Sequence, residues 1–257
     1  MKKLFYICLL FLVITSCKKE TETTNNSTNS NNEGSGYEFA GGYPTEATIK
    51  KAYDDADLTR AIQVYKFFYP SVSGEAIVKG NDSINVKPNK SFGTLDTKPG
   101  QIGFTLNSDT PYGPIPIDLS KGPMIIDIPK GPLIVVAMDV NQRWVADMGI
   151  PGPDAGNGGR HLLLPPDYKG VVPASGYHVW KSSSNNLTVG IRSLPVGGDV
   201  NAAIVRIKTV KVYPLNKPAD WKDPDWIDFT NKHQNTTPLG WENSIKYWEN
   251  LNDVIQR

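Results

Sequence analysis

Leu133–Val140 reads Leu-Ile-Val-Val-Ala-Met-Asp-Val, Asn141–Arg143 reads Asn-Gln-Arg, and Trp144–Met148 reads Trp-Val-Ala-Asp-Met. Two short runs rich in β-branched and apolar residues, separated by a polar triplet, read as consecutive strands. The same texture extends outward. Gln101–Asn107, Pro123–Pro129, His161–Leu164, Tyr177–Trp180, Leu187–Leu194 and Thr209–Leu215 are further strand candidates, parted by clusters of Gly, Pro, Asn and Asp. Short strands with frequent breakers predict a β-sandwich over about 100–216. Asp199–Lys208 reads as a short helix with Asp199 as its cap.

On the N-terminal side the period changes. Leu58, Ala61, Ile62, Tyr65 and Phe68 recur at spacings of three and four, which predicts a helix from Glu46 to Phe68. Asp54, Asp55 and Asp57 suit its early part, Pro70 is expected to close it, and Gly74–Lys79 adds a helical turn, so the helical part spans about 46–80. At the other end, Trp241, Ile245, Trp248, Leu251 and Ile255 form an apolar stripe within a helical tail over about 238–257. The expected class is α+β, mainly β, in one globular domain over 37–257, with the C-terminal helix folding back on the sandwich or meeting a partner.

The first sixteen residues have the form of a signal peptide: Lys2 and Lys3, an apolar run from Leu4 to Ile14, then Thr15-Ser16. The run is shorter than the roughly 20 residues a membrane span needs. Ile14-Thr15-Ser16-Cys17 resembles a lipobox, so the expectation is cleavage before Cys17, lipidation of its thiol and an acyl anchor such as palmitate. Lys18–Gly36 contains no apolar side chain, and with Cys17 it makes a disordered linker over 17–36. The expected location is the cell envelope, lipid-anchored at the outer membrane, because Lys18 stands where an aspartate would favour inner-membrane retention.

Processing changes the arithmetic. Cys8 and Cys17 are the two cysteines, so the mature domain has no free thiol for disulfides, thiolate metal sites or nucleophilic catalysis. Losing Lys2 and Lys3 from 27 basic residues leaves 25 against 26 acidic ones, a balance that argues against nucleic acid as a partner. The catalytic signatures Gly-x-Ser-x-Gly, His-Glu-x-x-His and the phosphate-binding loop are absent. His161, His178 and His233 show no metal-ligand spacing, and no cofactor or metal is expected.

Two polar segments are candidate sites. Asn107-Ser108-Asp109-Thr110-Pro111-Tyr112 brings an amide, a carboxylate, a hydroxyl and a phenol within six residues, and reads either as a structured turn or as a ligand site on a sandwich-end loop. Gly149–Arg160 holds Gly and Pro at a density that excludes helix and strand, and reads as an irregular loop or as a lid with Arg160 meeting an anion. Trp144 and Trp180 are sugar-stacking platforms or, more commonly for such residues, core aromatics.

Asn107–Tyr112, Ile117–Pro123, the Gly-rich loop, Pro165–Gly170, Arg192, Asp199 and Tyr213-Pro214-Leu215 occur in an order that resembles the bacterial domain of unknown function 1254. The resemblance implies a helix followed by an immunoglobulin-like antiparallel sandwich in envelope proteins, and no established reaction. It implies recurrent polar positions at Asn107, Asp109, Thr110, Tyr112, Arg192 and Asp199, with Arg192 and Asp199 expected to form a structural ion bridge. It also implies a second domain, of unknown function 1214, after a segment like Tyr247–Val254, so the expectation includes a missing domain or partner chain at the C-terminal helix. Three functional readings follow: a lipoprotein binding a small polar molecule or partner through Asn107, Asp109, Thr110, Tyr112, Arg160 and Arg192; an envelope hydrolase with Asp109 as general base and Tyr112 or Arg192 stabilising charge; and a truncated remnant of a two-domain protein.

Overall fold

The computed structural model describes residues 36–256, so the signal peptide, Cys17 and nearly all of the linker lie outside the described residues. The chain divides into two compact units at Leu58–Thr59, inside the first helix.

The first unit contains the hairpin β1 (Phe39–Ala40) and β2 (Tyr43–Pro44) and the start of α1 (Glu46–Ser83). Thr45 caps the helix, its hydroxyl accepting from the Thr48 N–H at 3.2 Å. The Thr48 hydroxyl donates to the Glu38 carbonyl at 2.7 Å, and the Tyr37 hydroxyl donates to Asp55 at 2.7 Å, where Lys51 also binds. Phe39, Tyr43, Tyr53 and Leu58 are exposed, so polar ties rather than a core shape this unit.

In the second unit α1 continues to Ser83, through Pro70 rather than ending there. Proline removes one backbone donor and crowds the preceding turn. Packing beyond it compensates: Ser71, Val72, Glu75 and Ala76 are buried. Gln142 Nε2 donates to the Pro70 carbonyl at 2.8 Å, and the Ser71 hydroxyl donates to Asn141 Oδ1 at 2.6 Å.

The strands that follow are β3 (Ser91–Thr94), β4 (Tyr112–Asp118), β5 (Met124–Ile128), β6 (Leu133–Asp139), β7 (Trp144–Gly149), β8 (Gly159–Leu164), β9 (His178–Lys181) and β10 (Asn186–Ser193). Then come α2 (Val200–Ile207), β11 (Lys211–Pro214), β12 (Asp225–Asp228) and α3 (Lys246–Ile255). Two four-stranded sheets, ordered β4-β10-β6-β7 and β11-β5-β8-β9, share one apolar core. Ile115, Val135, Met148 and Val189 from the first sheet meet Ile126, Ile128, Leu163 and Val212 from the second. The unit is mixed α and β with mostly antiparallel pairing.

Several expectations change. β8 and β9 run parallel, as do β12 and β3, so the strands are not all antiparallel. Gln101–Asn107 is loop, and β4, with Pro114 and Pro116 inside it, is a strand. It is tolerated because β4 is an outer strand of its sheet, where a missing N–H need not break the ladder. The C-terminal helix packs on α1 instead of the sheets: Trp241, Tyr247 and Leu251 cluster with Tyr65, Phe68, Tyr69, Val72 and Ala76. The buried face differs from the expected stripe, since Tyr247 is 1% exposed while Ile245 is 68% exposed.

Candidate functional site

Asn107–Tyr112 leads into β4 and organises itself. Asn107 Oδ1 accepts from the backbone N–H of Asp109 (2.9 Å) and Thr110 (3.0 Å), and from the Thr110 hydroxyl (3.2 Å). Its Nδ2 donates to the Tyr112 hydroxyl at 2.9 Å. Arg192 stands opposite Tyr112 across the β4–β10 register, where its guanidinium lies 5.3 Å from the Tyr112 ring centroid and Nε donates to Thr110 Oγ1 at 3.3 Å. Asn107, Thr110, Tyr112 and Arg192 therefore converge. Asp109 is exposed, contributing its backbone rather than its carboxylate to the network. A general base poised by burial needs a desolvated carboxylate, whereas the Asp109 side chain is exposed.

The expected Arg192–Asp199 bridge is not formed. Arg192 is engaged by Thr110, while Asp199 caps α2, its carboxylate accepting from the Ala202 N–H at 2.9 Å.

The Gly-rich segment joins β7 to β8 around Asp154, whose Oδ1 accepts from the Gly149 N–H at 2.8 Å. Gly149 has φ +75°, and a Cβ there would stand 2.3 Å from the Leu133 carbonyl oxygen, so glycine is required. Asp154 Oδ1 also lies 3.2 Å from His161 Nε2, without the alignment of a hydrogen bond, and both side chains are fully buried. His161 Nδ1 accepts from Trp180 Nε1 at 3.2 Å, which assigns the imidazole proton to Nε2, towards Asp154. Burial lowers the His161 pKa to about 4, with Asp154 pulling upward and His178 downward. The two rings are 5.0 Å apart on paired positions of β8 and β9. With Nδ1 engaged by Trp180 and the ring fully buried beside Asp154, His161 braces the loop and does not face a ligand. Trp144 is 60% exposed, contrary to a core role, and meets Trp180 edge to face at 5.7 Å.

Arg160 sits on β8, on the other sheet from Arg192, so the two arginines belong to separate clusters. It lines a cleft of about 520 Å³ with Asp127, Gly159, Gly176, Tyr177 and His178. Its guanidinium lies 4.7 Å from the Tyr177 ring centroid. Tyr177 is itself held against Ile125, Leu162 and Leu164, alongside Tyr168 and Tyr213. The Tyr213 hydroxyl donates to Asp127 at 3.5 Å, and burial first, then the Asp127 charge, raises its pKa and keeps it protonated. Asp127, Tyr177 and His178 went unread as site residues. The available signal was a lone aspartate in the apolar run Met-Ile-Ile-Asp-Ile; the pairing that brings His178 beside His161 has no local signature. Among the described residues no group of three or more His, Cys, Asp or Glu is arranged to hold a metal ion, and no helix is long and apolar enough to cross a membrane.

Comparison with known proteins agrees with the resemblance read from the motifs. Residues 91–214 match the family model described as Protein of unknown function (DUF1254), from β3 to the end of β11. That segment contains both arginine clusters. Among solved structures, the chain is similar to the VPA0106 protein from Vibrio parahaemolyticus, with 21% identity and a TM-score of 0.47, over 62% of this chain and 39% of that one. The chain thus spans well under half of that protein's length. No curated protein matches it.

Proposed function

We propose that the second unit holds a small anionic molecule in the Arg160 cleft. One observation carries this reading: an exposed guanidinium, over the Tyr177 ring and without a carboxylate partner among the described residues, lines a cleft of about 520 Å³. Small-molecule sites run from about 300 to 1,000 Å³, and a guanidinium offers forked donors that match planar anions. The Asn107 network supports binding less well, because its polar atoms already satisfy one another. The hydrolase reading lacks a buried carboxylate at Asp109.

Thermal unfolding of the full chain against a panel of small carboxylates and phosphates tests the cleft. A ligand at a hundred times its dissociation constant adds about 2.7 kcal/mol. Arg160→Gln is expected to abolish that shift, and an undiminished shift in the variant would overturn the reading.

We also propose that the two sheets form an immunoglobulin-like sandwich, and that the protein is lipidated on Cys17 and held at the outer membrane. The sequence supports the anchor through the short apolar run and the Ile14–Cys17 segment. Labelling cells with an alkynyl palmitate analogue should mark the wild type and leave Cys17→Ala unmarked; equal labelling of both would refute lipidation at this position.

A further inference from the structure

We propose that the cleft selects a zwitterion of the amino-acid kind, its carboxylate on Arg160 and its ammonium on Asp127. This rests on the anion-binding reading above and extends it to the other end of the ligand.

The warrant is a pair of charges that face one another and do not close. Asp127 and Arg160 are directly opposite in the antiparallel β5–β8 register. Side chains so placed share a face, with Cβ atoms about 5 Å apart. Opposite charges there ordinarily form an ion pair, yet none joins these two. The guanidinium is drawn over Tyr177 instead. On its other side Asp127 stands opposite Lys211 of β11, and that pair is also unclosed. Among the described residues, the half-buried carboxylate keeps only the 3.5 Å contact from the Tyr213 hydroxyl. Gly176 borders the guanidinium: at φ +84°, a Cβ there would stand 3.0 Å from Arg160 Nη2, which would have to give by a few tenths of an ångström.

A ligand entering this space meets a cation and an anion together. A plain carboxylate gains Arg160 but brings a second negative charge towards Asp127, and like charges at such range repel. An ammonium beside the carboxylate turns that repulsion into a charge-assisted hydrogen bond. Desolvating two protein charges is costly unless each finds its counterpart, and a zwitterion supplies both. Tyr177 and Tyr213 flank the charged groups with aromatic surface for an apolar side chain.

The test compares three series on the full chain by calorimetric titration: free L-amino acids, their N-acetyl derivatives, and the matching carboxylates without the amino group. The free amino acids should bind, and loss of the ammonium should weaken binding about tenfold or more, as expected for a lost charged hydrogen bond. Asp127→Asn should bring the three series to within about threefold of one another, while Arg160→Gln should abolish binding of all three. If N-acetyl and amino-free compounds bind as tightly as the free amino acids, the zwitterion proposal falls and the anion cleft stands. If nothing binds, or binding survives Arg160→Gln, the cleft reading falls and takes the proposal with it. The comparison among ligands is made on the wild type, so it does not depend on any variant folding.

Discussion

Both clusters set an arginine over a tyrosine ring, Arg192 over Tyr112 at 5.3 Å and Arg160 over Tyr177 at 4.7 Å. Around Arg192 the polar groups form a closed circuit: arginine to Thr110, Thr110 to Asn107, Asn107 to the Tyr112 hydroxyl. Around Arg160 the circuit is open. Asp127 faces it across the sheet without pairing. The same two side chains thus serve structure in one place and remain available in the other. What decides between them is whether a short neutral acceptor lies within reach of the arginine, because a satisfied network leaves nothing for a ligand to replace.

The largest effect should come from opening the closed circuit. Asn107→Ala strips the acceptor from two backbone donors and a hydroxyl and removes the donor to Tyr112. At about 1 kcal/mol for each of these four net hydrogen bonds, the loss should approach about 4 kcal/mol. Urea unfolding measures it, and a loss below 1 kcal/mol would mean that the turn is held by Pro111 and the strand register alone. A second effect concerns the brace behind the open cluster. Burial holds the folded His161 pKa near 4, below its ordinary value of 6.5. Between those values the unfolded chain binds more protons, so the stability from neutral His161 is fully present above pH 6.5 and lost as pH falls towards 4. Asp228, lowered to about 2 chiefly by its bond from Lys208, titrates below that window. His161→Leu should flatten the stability profile between pH 6.5 and 4; an unchanged slope would assign the acid loss to other groups.

How much of this was legible follows from how local each signal is. Leu133–Asp139 and Asn186–Ser193 fall close to the strand boundaries read from their β-branched runs, and the Asp199 cap precedes α2 as read. β4 was hidden because Pro114 and Pro116 read as breakers, and only its outer place in the sheet makes them acceptable. Pro70 misled in the opposite sense: the burial of Val72 and Ala76 against Trp241, Tyr247 and Leu251 lies far away in sequence. In the site, Arg160 stood out beside its glycines. Asp127 did not, because its meaning depends on which residue β8 sets opposite it, and register is a property of the whole sheet.

Two smaller effects separate the clusters further. Gly176→Ala places a side chain at φ +84° and against Arg160 Nη2, so it should cost about 1 kcal/mol in stability and weaken anion binding at the same time. Glycine positions remote from Arg160 should show the first effect without the second. The smallest change is expected at Asp109. Its contribution to the closed circuit is the backbone N–H to Asn107 Oδ1, which alanine retains. Its carboxylate is exposed at the turn. Asp109→Ala should therefore alter unfolding by less than about 0.5 kcal/mol, as for surface positions generally, and leave any ligand shift at Arg160 intact. A tenfold fall in a hydrolytic activity of the full chain on this substitution would reverse the comparison, making the satisfied cluster the chemical one and the Arg160 cleft its bystander.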